Sequence, residues 1–412
     1  MKPLPLIAAL LLAPHLCAQT DPADLLREAR TKILTETEAL ARYTCVETVQ
    51  RTRFEPLRNA SPKRCDLLGR TIEAWSDRLR LDVTVSDGSE IFSWAGARRF
   101  DLADARAFAG GGLTAAGDFG RFLVSIFGAG AEVRFTAWEQ SLAVYRYRVP
   151  VAASRYEIAL EARSLPMAYE GRFWLDARST ELKRLTIEVP NPPRAAETCR
   201  IETRIDYQRA QIGGMSGGMP GGASISLPQL TQLKLWDAEG GRWENRTTYS
   251  GCRAFGSESR FRTDMAGAVT EAAAHPAPAA VPPGLTLQIA LRSAVSEAAS
   301  YAGDAVEGQL LHPLRTPEGR VLVPEGTRIQ GRIVRAERHL QPTRYFTLGL
   351  TFETITLDGA EAPLSLEFVP RSREERALNG SSEKRTGTGL LLFREDPAEL
   401  EPGFVTEWKS KR

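Results

Sequence analysis

Two Pro-Glu-Gly turns set between short apolar runs constrain this chain more than any other feature. They lie in residues 303–334, GDAVEGQLLHPLRTPEGRVLVPEGTRIQGRIV. Proline presets the backbone of a turn and glycine accepts the positive φ that follows, so each tripeptide stops one strand and starts the next. Residues 305–311, Pro317-Glu318-Gly319, residues 321–323 and Pro324-Glu325-Gly326 therefore read as strand, turn, strand, turn. Neither turn carries a catalytic signature. Asp304 and Glu325 fit strand-start and turn roles, and nothing in their spacing brings them together as acid and base.

Upstream, the pattern begins with a helix. Asp21 is placed to cap it, Pro22 suits the first helical position, and Leu26, Ala29, Ile33 and Leu40 fall near one face, which predicts a helix over residues 21–43. From Tyr43 the period becomes two. Leu79, Leu81, Val83 and Val85 alternate with polar neighbours, as do Tyr145, Tyr147 and Val149, and the pattern of half-buried strands continues through Tyr156, Ile158 and Leu160. It recurs at residues 173–175 and at Leu185, Ile187 and Val189, with Asp176-Ala177-Arg178-Ser179-Thr180 as their connection, and again at residues 201–207, 230–235 and 246–252. Gly110-Gly111-Gly112 marks a loop leading into a brief helix over residues 119–127. The glycine-rich stretch 213–226 reads as a flexible loop. One helix followed by successive antiparallel strands predicts an α+β N-terminal domain, a helix on a curved antiparallel sheet.

Residues 263–284 turn to Ala, Pro and Gly and read as an extended linker. Beyond them Leu285, Leu287, Ile289 and Leu291 alternate strictly. Phe346, Leu348, Leu350 and Phe352 alternate too, but Ile355 and Leu357 have the opposite parity, so a single strand here needs a β-bulge near Glu353 and Thr354. A small all-β barrel is expected over residues 285–370. After Pro370 the sequence is charged and irregular apart from an apolar run at residues 390–393, and it reads as a disordered tail or an extension. The expected division is a signal peptide (1–18), an α+β domain (19–262), a linker (263–284), a β-barrel domain (285–370) and a charged tail (371–412).

Lys2, an apolar stretch over residues 4–12 and Leu16-Cys17-Ala18 before Gln19 form a secretory signal pattern, too short to span a bilayer, which takes about 20 residues. The location expected is periplasmic or secreted, or the outer membrane if Cys17 is lipidated. Beyond the signal remain Cys45, Cys65, Cys199 and Cys252, an even number that points to disulfides in an exported chain. Four cysteines allow three pairings, of which the local one, Cys45 with Cys65 and Cys199 with Cys252, is the simplest. No C-x-x-C pair occurs, and His275, His312 and His339 are isolated, so neither a zinc site nor any other metal or cofactor is expected. The 53 basic and 51 acidic residues nearly cancel, leaving no field to gather nucleic acid.

Residues 308–314, Gly319-Arg320-Val321-Leu322-Val323-Pro324-Glu325-Gly326-Thr327, Gly331-Arg332-Ile333 and Leu357-Asp358-Gly359 resemble the C-terminal β-barrel of conjugal-transfer and type IV secretion channel proteins. The likeness covers residues 285–368. It implies a barrel that assembles into a ring and carries no chemistry, although this chain begins with a signal pattern where that family has a membrane anchor. Gly171-Arg172-Phe173-Trp174-Leu175-Asp176 and residues 182–189 are similar to the late hairpin of the outer-membrane lipoprotein carrier fold. That likeness implies an apolar cavity, and Trp75, Trp94, Phe122, Phe127 and Trp174 are the residues it nominates to line one; as ordinary core residues they need no ligand.

Gly214-Met215-Ser216-Gly217-Gly218 matches G-x-S-x-G formally, but a nucleophile elbow needs a strand before it and a helix after it, and Pro220 with its glycines offers no helix. Glu374 and Glu375 among Arg371, Arg373 and Arg376 read as a solvated charge run. Asn59, Asn245 and Asn379 open N-x-S/T sequons, which carry no function in the bacterial exported protein that these likenesses imply. The expectation is a non-enzymatic envelope protein that binds other envelope proteins, or itself, through the barrel. The alternative is a periplasmic carrier of a lipid or other apolar ligand.

Overall fold

The computed structural model describes residues 21–39, 43–57, 65, 69–86, 89–96, 120–159, 164–190, 192–212, 223–254, 281–380 and 387–411. The signal pattern with Cys17, the glycine runs at 110–112 and 213–222 with Ser216, the sequon at Asn59, and linker residues 263–280 lie outside them.

The expected helix spans α1 (Pro22–Ala39), and Asp21 Oδ1 accepts from the Ala23 N–H at 2.7 Å as the cap. Its buried stripe is Leu25, Ala29 and Ile33, with Leu26 only partly buried. The first strands are β1 (Tyr43–Pro56), β2 (Thr71–Ser86) and β3 (Ser89–Trp94), followed by the brief helix α2 (Arg121–Phe127). Then come β4 (Glu132–Glu139), β5 (Leu142–Val149), β6 (Glu157–Ala159), β7 (Ser164–Pro166), β8 (Tyr169–Asp176), β9 (Leu182–Val189), β10 (Thr198–Ile212), β11 (Ala223–Asp237) and β12 (Arg242–Ala254). The later strands are β13 (Thr286–Leu291), β14 (Val295–Ser296), β15 (Ala305–Leu310), β16 (Leu314–Arg315), β17 (Val321–Val323), β18 (Arg328–His339), β19 (Tyr345–Leu357), β20 (Ala360–Pro363) and β21 (Leu366–Phe368). Helix α3 (Arg373–Asn379) and strands β22 (Thr388–Phe393), β23 (Glu399–Leu400) and β24 (Val405–Ser410) complete the chain.

The expected fold class, a helix-on-sheet α+β domain followed by a separate small barrel, is overturned. The described residues are 59% strand and 12% helical, which makes strand pairing the framework throughout, and one 18-stranded antiparallel sheet runs through both halves. Its pairing order is β4–β5–β8–β9–β10–β11–β12–β1–β2–β3 in the first half. From β18 the second half runs through β15, β13, β24 and β21 on one side and through β19 and β22 on the other. Alternation marks a half-buried strand equally well in a closed barrel and in a larger sheet, so the sequence pattern did not distinguish them.

The two halves join on β2. Its residues 75–77 pair with β18 residues 337–339, Leu79 bridges Ala302, and residues 81–86 pair with β3. The Arg80 N–H donates to the Ala302 carbonyl at 2.7 Å and the Ala302 N–H donates to the Arg78 carbonyl at 2.9 Å. Arg80 forms an ion pair with Asp304 and lies 4.3 Å from the Tyr301 ring centroid. Gly303 has φ +110°, and a Cβ there would sit 1.9 Å from the Arg80 carbonyl oxygen, so only glycine lets the chains approach this closely. Val49, Leu79, Leu81, Trp94 and Ala302 form a small apolar cluster across the join.

Each half has a core. In the first, α1 and α2 cover the face of β5, β8, β9 and β10 that carries Tyr145, Tyr147, Phe173, Leu185 and Ile205. The second gathers Leu287, Ile289, Ile333, Leu348, Leu350 and Phe352 around Trp408, which is fully buried. The stretch expected to be a tail thus supplies a core tryptophan. Strand β24 pairs with both β13 and β21, and buried Asn379 of α3 donates to the Leu390 carbonyl at 2.7 Å. The irregular, charged composition hid this because the ordering contacts are distant in sequence. The bulge on β19 lies where parity required it: Gln330 faces Thr354 and Gly331 faces Phe352, leaving Glu353 as the extra, exposed residue. Both Pro-Glu-Gly turns form, with Gly319 and Gly326 at positive φ.

The local disulfide pairing is also overturned. Cys45 is bonded to Cys252 and Cys65 to Cys199, across 207 and 134 residues. The reason is register: β1 pairs with β12, the strand that carries Cys252, and so brings distant cysteines together. Two disulfides fit an oxidising, exported environment. No helix among the described residues is long and apolar enough to cross a membrane.

Both disulfides lie before residue 253, so no covalent cross-link joins the halves. A protease site inserted between residues 268 and 269 and then cleaved is expected to give two fragments that co-elute in size-exclusion chromatography without denaturant. Separate elution would contradict the β2 join.

Candidate functional site

The five aromatics nominated as a cavity lining do not converge. Phe122 and Phe127 are buried in the first core, Phe127 with its ring 4.8 Å from that of Phe173. Trp94 belongs to the apolar cluster across the join. Trp75 packs edge-on against Trp243 at 5.5 Å beneath the Arg51 guanidinium. Trp174 Nε1 donates to Glu139 Oε2 at 2.9 Å, with Arg184 over its ring. Beneath α1, where a carrier fold would hold its ligand, the space beside Ile33, Leu123 and Tyr207 is about 10 Å³, room for one water at most.

A larger cleft, of about 200 Å³, opens at one end of the sheet. Prolines make it. Pro150 follows β5, Pro166 closes β7 and Pro190 follows β9, and a residue without an N–H has no donor to offer a ladder, which favours strand ends. Val149 of β5 pairs with Tyr169 of β8, and Arg148 pairs with Glu170, so the chain leaves the sheet on neighbouring strands at one level. Buried Met167 and Tyr169 form the floor, continuous with the first core, while Val151 stands 51% exposed at the lip beside Pro193. Glu170 is engaged by Arg146 at 3.0 Å. Burial pushes the Tyr169 hydroxyl up to about 12, so it stays neutral.

Reading the sequence missed this cleft. Its prolines were visible, but they lie in three segments that meet only through the β5–β8–β9 pairing.

The second cluster with chemical character lies at the β2–β18 join. Arg51 and Asp77 form a buried ion pair, each side chain only 3% exposed, with Arg51 Nε 2.8 Å from Asp77 Oδ1. Directly across the strands is Glu337, which accepts from Arg335 Nε at 2.7 Å and lies 3.4 Å from His339 Nε2. The His339 ring stacks on Tyr345 at 4.3 Å. Burial raises the Asp77 carboxyl above its usual range, with Arg51 pulling it back and Glu337 adding to the rise. Burial raises Glu337 as well, but the hydrogen bond from His339 and the charge of Arg335 outweigh it and hold the carboxyl low. Each carboxylate thus has an arginine partner, Asp77 in Arg51 and Glu337 in Arg335, an arrangement suited to holding buried charge in place.

Stability contributed by Glu337 is present above the ordinary glutamate range and is lost as pH falls through its lowered pKa. Asp77 has the opposite sign, its contribution being lost as pH rises through its raised value. Glu337→Gln is expected to cost about 1.5–3 kcal/mol in urea melts at pH 7, the scale of a hydrogen bond to a charged group, and less at pH 4. An equal cost at both pH values would contradict the assignment. With the geometry of both clusters in view, comparison with known proteins adds no relative: no family model, no curated protein and no solved structure matches this chain.

Proposed function

We propose that this chain is an exported, non-enzymatic bacterial envelope protein that acts by binding, and that it holds a small apolar ligand in the cleft at the end of β5 and β8. The observation that carries the reading is the cleft itself, about 200 Å³ with a floor of buried Met167 and Tyr169. A periplasmic location is favoured by the secretory signal pattern together with the two disulfides. The likeness of residues 171–189 to the lipoprotein carrier hairpin supports a carrier role. A non-enzymatic role is favoured by the engagement of Asp77 and Glu337 with Arg51 and Arg335 in structural ion pairs. Protein purified from the periplasm and extracted with organic solvent is expected to release an apolar molecule that the cleft-filling variant Ala168→Trp lacks. Recovery of none from the wild-type protein would sink the carrier role.

A second reading, assembly with other envelope proteins or with a second copy of the chain, is favoured by β4. Among the described residues this strand pairs only with β5, and Phe135 on it is 38% exposed beside Trp138. An open edge with an exposed aromatic is a surface for added strands. If copies of the chain associate this way, Phe135→Lys is expected to shift sedimentation toward the monomer, and an unchanged profile would exclude β4 from the contact.

A further inference from the structure

The charges around the cleft identify the class of ligand it suits, an inference that rests on the binding role proposed above for the same cleft. Two arginines lie on the exposed side of β5 near its end, Arg146 and Arg148. Arg146 takes the Glu170 carboxylate at 3.0 Å, which neutralises the acid in the cleft lining. The Arg148 guanidinium, also in the lining, makes no ion pair or side-chain hydrogen bond to another described residue, although Glu132 and Glu170 stand opposite it on the flanking strands. The lip therefore presents one uncommitted guanidinium above an apolar floor. Such a group is best satisfied by a carboxylate, which accepts two parallel hydrogen bonds from it.

Shape narrows the choice further. A volume near 200 Å³ is below the roughly 300–1,000 Å³ of pockets for drug-sized ligands, which favours a short chain. Pro166, Pro190 and Pro193 in the lining have no backbone N–H to offer. An extended peptide would find few main-chain partners there, whereas an alkyl chain needs none. Exposed Val151 gains cover only when something apolar lies against it. The neutral Tyr169 hydroxyl sets no second charge against an anion.

We propose that the cleft binds a medium-chain fatty carboxylate, of about six to eight carbons at the scale of pocket filling, with the alkyl chain over Met167 and Tyr169 and the carboxylate on Arg148. The test is calorimetric titration of the full mature protein with octanoate and with octan-1-ol, which share a chain and differ in charge. Octanoate is expected to bind the wild type about tenfold more tightly than the alcohol, the scale of one charge-assisted hydrogen-bonded pair. Arg148→Gln is expected to reduce octanoate to the level of the alcohol, and Arg148→Lys to keep part of the preference. Arg148 is exposed, so an unchanged melting temperature will show that both variants fold. Equal binding of the two ligands, unaltered in Arg148→Gln, would overturn the carboxylate assignment while leaving apolar binding intact. Failure of both ligands to bind the wild type would overturn the occupancy of the cleft along with it.

Discussion

Strand β2 has two edges, and the second is divided among three partners: β18 at residues 75–77, Ala302 opposite Leu79, and β3 at residues 81–86. A strand edge left open in water is a template for unwanted pairing, and here the second half of the chain covers the stretch that β3 does not reach. The approach is tight enough that Gly303 fits only without a side chain. The Arg80–Asp304 and Arg51–Asp77 pairs then place charges on either side of the main-chain contacts.

Burying charges at such a join is costly unless each is matched. The cluster meets that condition by giving each acid an arginine, Asp77 with Arg51 and Glu337 with Arg335, while the two acids face each other across β2 and β18. Register enforces the order, because Asp77 faces Glu337 and a slip of one residue would turn the charged set to the other face. The cluster is thus better suited to specifying one docking of the halves than to performing chemistry. The cleft lies elsewhere, where prolines flank the ends of β5 and β9, and its exposed arginine has a guanidinium that no ion pair or hydrogen bond among the described residues uses.

Much of the fold was legible because local periodicity reports local burial. Tyr145, Tyr147 and Val149 alternate in sequence and are all buried in the first core. The parity change between Phe352 and Ile355 required a bulge, and the structure has it at Glu353. The stretch after Pro370 was not legible as structure: Trp408 is buried only because β24 lies between β13 and β21, and nothing near it in sequence reports those partners. The candidate site was less legible still. Trp75, Trp94, Phe122, Phe127 and Trp174 were nominated by the likeness to a carrier fold, yet a likeness does not say which side chains share a cavity, and the cleft is built from prolines with Met167 and Tyr169 brought together by strand pairing.

From the sequence alone came many of the strands and turns, the N-terminal helix and the presence of paired cysteines, all properties set by neighbours within a few residues. The tertiary structure decided which cysteines pair, that Leu391 and Trp408 near the end of the chain belong to a core, and that the two halves share one sheet rather than standing as a domain and a barrel. The physical reason is common to all three. A β-strand satisfies its hydrogen bonds outside itself, and its alternating pattern declares which face is buried without naming the partner that lies beside it.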